Sequence, residues 1–266
     1  KSVTEIWPDL LKLNVLAKQS APAERERMIF LNHAVRSLAE TKIDQNLGLE
    51  LLRDFVRSTR AKSTFFSLLN REPRLIEDLC LLFSVSPYLG GILASRPELI
   101  DAYVLQRQDL AIDAPIEDFL DSLIEHRLLA ETLSGVKFLW NCDVNKLTKA
   151  LTTTADKIFE TLKLRVCSEQ QAPPLGVVAL GKWGGREIGL KSDLDFVFIS
   201  ENPLDANTQK ISKRMISRLT ESHRGGSIYP IDLRLRPSGN SGPMVVSSKQ
   251  LSEFLLNHAP AWQRQA

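Results

Sequence analysis

An α+β fold, with an N-terminal helical bundle ahead of a β-containing domain, is what this sequence predicts, and three observations carry it. Apolar residues recur at three- and four-residue spacing before Gln170, and glycine is rare there. After Gln170, short β-rich runs are separated by Gly/Pro clusters. The domains expected are a helical region over 1–170, a sheet domain over 171–248, and the start of a further helix over 249–266.

The helices are justified one by one. Pro73 follows Glu72, and Leu75, Ile76, Leu79, Leu82 and Phe83 then line one helical face. Ser86-Pro87 ends that run and starts the next, with serine as N-cap and proline at the first helical position. Arg96-Pro97-Glu98 offers a third start, leading to Leu99, Ile100, Tyr103 and Val104. Val144, Leu147, Leu151, Ala155, Ile158, Leu162 and Val166 step by three or four through one long helix, the stripe of an antiparallel bundle. The proline-then-leucine starts echo one another without a fixed period, so they do not make a solenoid.

Pro173-Pro174 is the expected hinge into the second part. Gly176 to Leu180 reads as a buried strand, and a loop with Gly181, Gly184, Gly185 and Gly189 follows. Asp193 to Ile199 is a second strand. A helix with Ile211, Met215, Ile216 and Leu219 on one face runs to Gly225-Gly226. A third strand is expected from Ser227 to Leu235, carrying Asp232, and a fourth at Met244-Val245-Val246.

Composition narrows the function. With 266 residues, 43% hydrophobic and 25% charged, the chain has the balance of a globular protein with a proper core. A net charge of +2 is too small for a nucleic-acid stripe, so any polyanion handled is a small one. Cys80, Cys142 and Cys167 are far apart, lack C-x-x-C spacing and sit in apolar or helical contexts. Buried reduced thiols in a cytoplasmic protein are expected, with no structural zinc. No run approaches the ~20 apolar residues of a membrane span, and no signal peptide opens the chain. The start at Lys1 and the stop after Trp262 to Ala266 lead us to expect a segment of a longer polypeptide.

The informative motif is Asp193-Leu194-Asp195 at the head of an apolar strand. Strand alternation sends both carboxylates one way while Leu194 enters the core. Side by side and partly desolvated, they repel, and hard cations such as Mg²⁺ relieve that repulsion. A D-x-D alone also fits a solvated strand end. Asp232, isolated between Ile231 and Leu233 in a later strand, adds a third carboxylate, and three can hold two metal ions for an in-line displacement at phosphorus.

Gly184-Gly185, between the two strands, allows backbone N–H groups to face an anion such as a triphosphate. Lys182, Arg186, Arg234 and Arg236 are close in sequence and can neutralise phosphate. The arginines fit equally well as partners of Asp232 or other acids, and Lys182 as a solvated loop residue. G-x-x-x-x-G-K-[ST] and G-x-G-x-x-G are both absent, which excludes a P-loop and weighs against a dinucleotide or kinase site. His223 and Cys142 look structural and receive no role.

These residues carry a resemblance. Leu180-Gly181-Lys182-Trp183-Gly184-Gly185-Arg186-Glu187, followed by Ser192-Asp193-Leu194-Asp195, closely resembles the signature of glutamine synthetase adenylyltransferases. Ile231-Asp232-Leu233-Arg234-Leu235-Arg236-Pro237-Ser238-Gly239-Asn240-Ser241-Gly242 is similar to the second signature of that family. A looser likeness covers Ser86-Pro87-Tyr88-Leu89 and Arg96 to Asp101.

The resemblance implies a nucleotidyltransferase (polymerase-beta-like) domain with a small mixed sheet, in a bifunctional cytoplasmic enzyme with two such domains. One domain transfers AMP from ATP to a tyrosine hydroxyl of glutamine synthetase, and the other removes that AMP by phosphorolysis. It further implies two Mg²⁺ ions held by Asp193, Asp195 and Asp232, with Asp232 orienting the incoming hydroxyl and Gly184, Gly185 and Ser192 holding phosphates. The helical region would contact glutamine synthetase or a PII-type nitrogen signalling protein.

Residues 238–242, Tyr229 and the run ahead of Ser86-Pro87 look like the transferring half, whereas Leu180, Arg186 and Pro243 are closer to the removing half. On balance the resemblance favours transfer. Trp183 departs from the leucine usual in the loop, and Pro230 stands where the transferring half commonly has an acid. Two other classes stay open, a nucleotidyltransferase acting on a small molecule or nucleic acid, and a nucleotide-binding regulatory module without turnover.

Overall fold

A computed structural model describes residues 21–59, 62–104, 110–172, 175–237, 239 and 242–261. The Pro173-Pro174 hinge, Ser238, Asn240 and Ser241, and the segment 262–266 lie outside the described residues. The chain folds as two compact units. Described residues up to 104 with Gly135–Trp140 form the first, and residues 110–134 with those from Asn141 onward form the second.

The first unit is helical. It contains α1 (Ala21–Glu40), α2 (Gln45–Ser58), α3 (Lys62–Arg71), α4 (Pro73–Val85), α5 (Pro87–Ser95) and α6 (Leu99–Val104). The expected starts are present for the expected reasons. Pro73 opens α4, and Leu75, Ile76, Leu79, Leu82 and Phe83 are all buried. Ser86 caps α5 by accepting the Leu89 N–H at 3.2 Å. Helices α1, α2 and α4 pack so closely that a side chain at Gly48 would meet Leu38 at 2.6 Å and Ser84 at 2.7 Å.

The second unit opens with α7 (Ile116–Asn141), whose Gly135–Trp140 portion belongs to the first unit, and α8 (Val144–Glu169). Asp143 caps α8 through the Lys146 N–H, and its stripe is buried from Leu151 to Val166, while Val144 is exposed. Helix α8, with periodicity like that of the preceding helices, thus folds with the sheet.

The remaining elements are β1 (Gly176–Leu180), the single turn α9 (Gly181–Gly184), β2 (Leu194–Ile199), α10 (Ala206–Thr220), β3 (Ile231–Asp232), β4 (Val245–Val246) and α11 (Ser248–Asn257). The small sheet is mixed, confirming the α+β class. Strand β1 pairs antiparallel with β2, and β3 and β4 both pair parallel with β2. Leu194, Phe196 and Phe198 of β2 are buried, with Phe196 against Phe159 of α8 at 5.1 Å between ring centres. On the alternate face, Val197 packs with Val246 and Leu251 of α11.

Three expectations are corrected. The third strand spans Ile231–Asp232, not Ser227 to Leu235. Pro230 has no N–H to donate to the ladder, although its carbonyl accepts the Leu194 N–H at 3.0 Å. At the other end the Asp232 carboxylate accepts the Arg234 N–H at 2.9 Å, a local turn that ends the strand. The glycine loop begins as a helical turn. Cys142 is exposed, in a turn with φ 51° between α7 and α8, while Cys80 and Cys167 are buried.

Candidate active site

Strand β2 places the acidic pair. Asp193 immediately precedes it, and Asp195 sits on the face shared with Val197, while Leu194 between them is fully buried. Asp232 is the Cα partner of Asp195 across the parallel β2–β3 ladder. Neighbouring strands run about 4.8 Å apart, so the two carboxylates share a small volume. Burial pushes the Asp195 carboxyl up to about 6, helped by Asp193 and then Asp232, with Lys182 and Arg234 opposing. Asp232 goes the other way. Hydrogen bonds from Arg234 hold it below the usual carboxylate range.

Arg234 clasps Asp232 with Nε at 2.7 Å from Oδ2 and 3.0 Å from Oδ1, while remaining 73% exposed. The structural partner weighed for this arginine is therefore the one observed. Among the described residues, no three His, Cys, Asp or Glu side chains already converge as a ready metal cage. In donor chemistry, Asp193, Asp195 and Asp232 still fit a hard divalent cation, since all supply carboxylate oxygens, and burial together with the two neighbouring acids raises Asp195.

The glycine segment closes over this pair. Gly181 has φ 54°, and a Cβ there would lie 2.4 Å from the Asp195 carboxylate, so only glycine lets the backbone approach so nearly. At Gly184 a Cβ would meet the Ala179 carbonyl at 2.6 Å. The Gly185 N–H donates to the Gly181 carbonyl at 2.9 Å, so it closes the turn rather than facing outward. Lys182 is exposed and bears on Asp195.

Other predicted site residues make contacts of their own. The buried Ser192 accepts the Gly189 N–H at 3.0 Å and so folds residues 189–192 into a tight turn. Arg186 pairs with Asp156 of α8 at 3.0 Å. Arg236 is buried, its Nε donating to the Gly239 carbonyl at 3.0 Å, and burial lowers its pKa. Both side chains are committed to framework contacts. His223, half-buried and bridged to Gly226 through its backbone, faces Glu117 and Asp121 of α7 at 3.6 and 3.8 Å.

Sequence reasoning missed Gly181 and Asp156. A glycine directly after a strand was a usable signal for the first. Asp156 carries none, because it reads as an ordinary polar position beside the apolar stripe of α8.

The sequence profile of the family described as glutamate-ammonia ligase adenylyltransferase matches residues 129–266. A bifunctional glutamine synthetase adenylyltransferase/adenylyl-removing enzyme of Methylococcus capsulatus is 28% identical, over 92% of this chain and 31% of the relative. Proteins of the same name from Bordetella pertussis and Brucella suis are 27% and 28% identical, over 88% and 94% of this chain and 28% and 29% of theirs. The chain spans less than a third of the length of these relatives.

Proposed function

The chain belongs to the glutamate-ammonia ligase adenylyltransferase family, and from that premise we propose that it transfers AMP from ATP to a tyrosine hydroxyl of glutamine synthetase in a Mg²⁺-dependent reaction. The observation that carries the reading is the in-register pairing of Asp195 with Asp232, with Asp193 one residue before β2 and the Gly181 backbone against Asp195. A nucleotidyltransferase domain of the polymerase-beta kind is the corresponding fold assignment. Glutamine synthetase as acceptor follows from the names of the relatives, and a PII-type signalling protein is the expected regulator.

Asp193, Asp195 and Asp232 would hold the magnesium, two ions in the full reading. Bound there, magnesium would neutralise the triphosphate and polarise the phosphorus under attack. The protein groups do the rest. Arg234 is mostly exposed, so it can swing from Asp232 to a phosphate oxygen without disturbing packing. That movement releases Asp232 to orient the incoming hydroxyl and accept its proton. Lys182 supplies positive charge beside Asp195 for the departing pyrophosphate. The turn at Gly181–Gly185 sets the height of the backbone over the acids, and Ser192 retains a hydroxyl proton to donate to phosphate.

The test is incubation of the chain with α-labelled ATP, Mg²⁺ and unmodified glutamine synthetase, beside Asp195→Asn. Label on the synthetase from the unaltered chain alone supports the proposal. Phosphate-dependent release of ADP from adenylylated synthetase, without forward transfer, would move the chain to the removing activity.

A further inference from the structure

Helix α8 takes hold of the glycine loop with three side chains spaced four and three residues apart, on one helical face. Thr152 Oγ1 accepts the Ile188 N–H at 3.3 Å in a buried contact. One turn later the Asp156 carboxylate is shared between two donors. Oδ1 accepts the Trp183 indole N–H at 2.8 Å, and Oδ2 accepts the Arg186 guanidinium at 3.0 Å. One turn further, the Phe159 ring lies 4.8 Å from the Trp183 ring and 5.1 Å from that of Phe196, the residue after Asp195.

We infer that Asp156 is a positioning residue for the nucleotide site, tying the buried and exposed ends of the 181–186 turn to α8 so that the loop backbone stays against Asp195. This rests on the nucleotide reading above. A further observation supports it. Arg186 has φ 61°, a left-handed conformation that a side-chain-bearing residue keeps only when its surroundings hold it there. The Asp156 contact is such a hold. The same carboxylate holds the buried Trp183 indole with one oxygen and the exposed Arg186 guanidinium with the other. Without the anchor, the turn from Gly181 to Arg186 would keep its own backbone bonds and the contacts of the Trp183 ring with Phe159 and Phe196, but it would lose its charged tie to α8, and Lys182 with it would lose its fixed place beside Asp195.

The test compares the unaltered chain with Asp156→Ala and Asp156→Asn, by amide hydrogen exchange over residues 181–192 and by MgATP titration calorimetry. Asp156→Ala should speed loop exchange and weaken MgATP binding, each about tenfold, as loss of a charged hydrogen-bonded pair allows. Exchange in residues 49–56 of the first unit should not change. Asp156→Asn keeps an acceptor for the indole and should recover part of both losses.

Loop exchange unaltered in Asp156→Ala would overturn the inference. Faster exchange with unchanged MgATP affinity would also overturn it, leaving Asp156 a purely structural contact. An unaltered chain that binds no MgATP would overturn the nucleotide reading itself, and with it the positioning role, whatever the exchange shows.

Discussion

In the first unit, Phe30, Phe55, Phe65, Phe66 and Phe83 form one connected set of rings, with Phe30 stacked on Phe66 at 5.0 Å and Phe55 tilted against Phe83 at 5.7 Å. In the second unit, the decisive buried contacts are mixed. Phe159, Trp183, Phe196 and Phe198 make a smaller ring chain. Around it run polar links, among them the buried Arg127–Glu131 pair at 3.0 Å, with Arg127 also over the Tyr229 ring and donating to the Ser227 carbonyl. Apolar contacts are non-directional and set how much stability a unit has. Hydrogen bonds and ion pairs are directional and set where a particular atom sits. In the unit with the carboxylates, buried polar groups place the loops, Arg127 at Ser227 and Thr152 at Ile188.

Several substitutions would break or sharpen that contrast. The largest expected effect is Phe55→Ala, which should lower the stability of the first unit by about 4 kcal/mol in a denaturant titration, the usual cost of an emptied aromatic site. A loss under 1 kcal/mol would show that the ring set is not the core of that unit.

Asp195→Asn should do the opposite, cutting adenylyl transfer by at least ~10²-fold without lowering the melting temperature. In the fold, Asp195 is crowded by Asp193 and Asp232, and burial already resists its charge. A drop in melting temperature would instead make it a structural residue.

Glu131→Gln removes the carboxylate facing the buried Arg127 guanidinium and should cost about 3 kcal/mol, whereas Arg127→Met with Glu131→Leu should recover most of it. An additive double variant would argue that the pair does nothing jointly.

The His126 imidazole predicts a pH effect confined to the second unit. Burial, then Lys157, lowers its pKa from 6.5 to about 4. Above pH 6.5 it is neutral in both folded and unfolded chains, so its contribution is constant. Below that, the unfolded chain takes up a proton that the fold resists, and stability falls until about pH 4, by up to ~3 kcal/mol. His126→Gln should flatten that part of the stability–pH curve.

Among the substitutions expected to destabilise the fold, the one at Gly181 has the smallest effect. Alanine there must adopt φ 54° and push against the Asp195 carboxylate, costing about 1–2 kcal/mol. Its effect on MgATP binding should be larger than on melting, and equal effects would separate the loop from the site.

Much of the first unit was legible in the chain itself. Helices α4 and α5 begin where Pro73 and Ser86-Pro87 place them, and the buried faces follow the three–four spacing, because capping and periodicity are local properties. The Asp193-Leu194-Asp195 alternation was legible for the same reason. The length of β3 was harder. Pro230 and the Asp232 side chain each end its pairing, and two local conflicts outweigh a run of apolar residues.

The sequence by itself determined the element order, the α+β class, the caps, and which residues could carry charge toward a phosphate. It also held the long motifs that tie the chain to its family. Only the tertiary structure decided that Asp195 and Asp232 stand in register and that α8 folds with the sheet. It also decided that Arg186 answers to Asp156 rather than to the acidic pair. The physical reason is range. Helix caps and alternation are set by neighbours a few residues away, whereas these pairings join segments about 30 residues or more apart. Which partner a charged side chain takes then depends on the relative burial and geometry that packing creates.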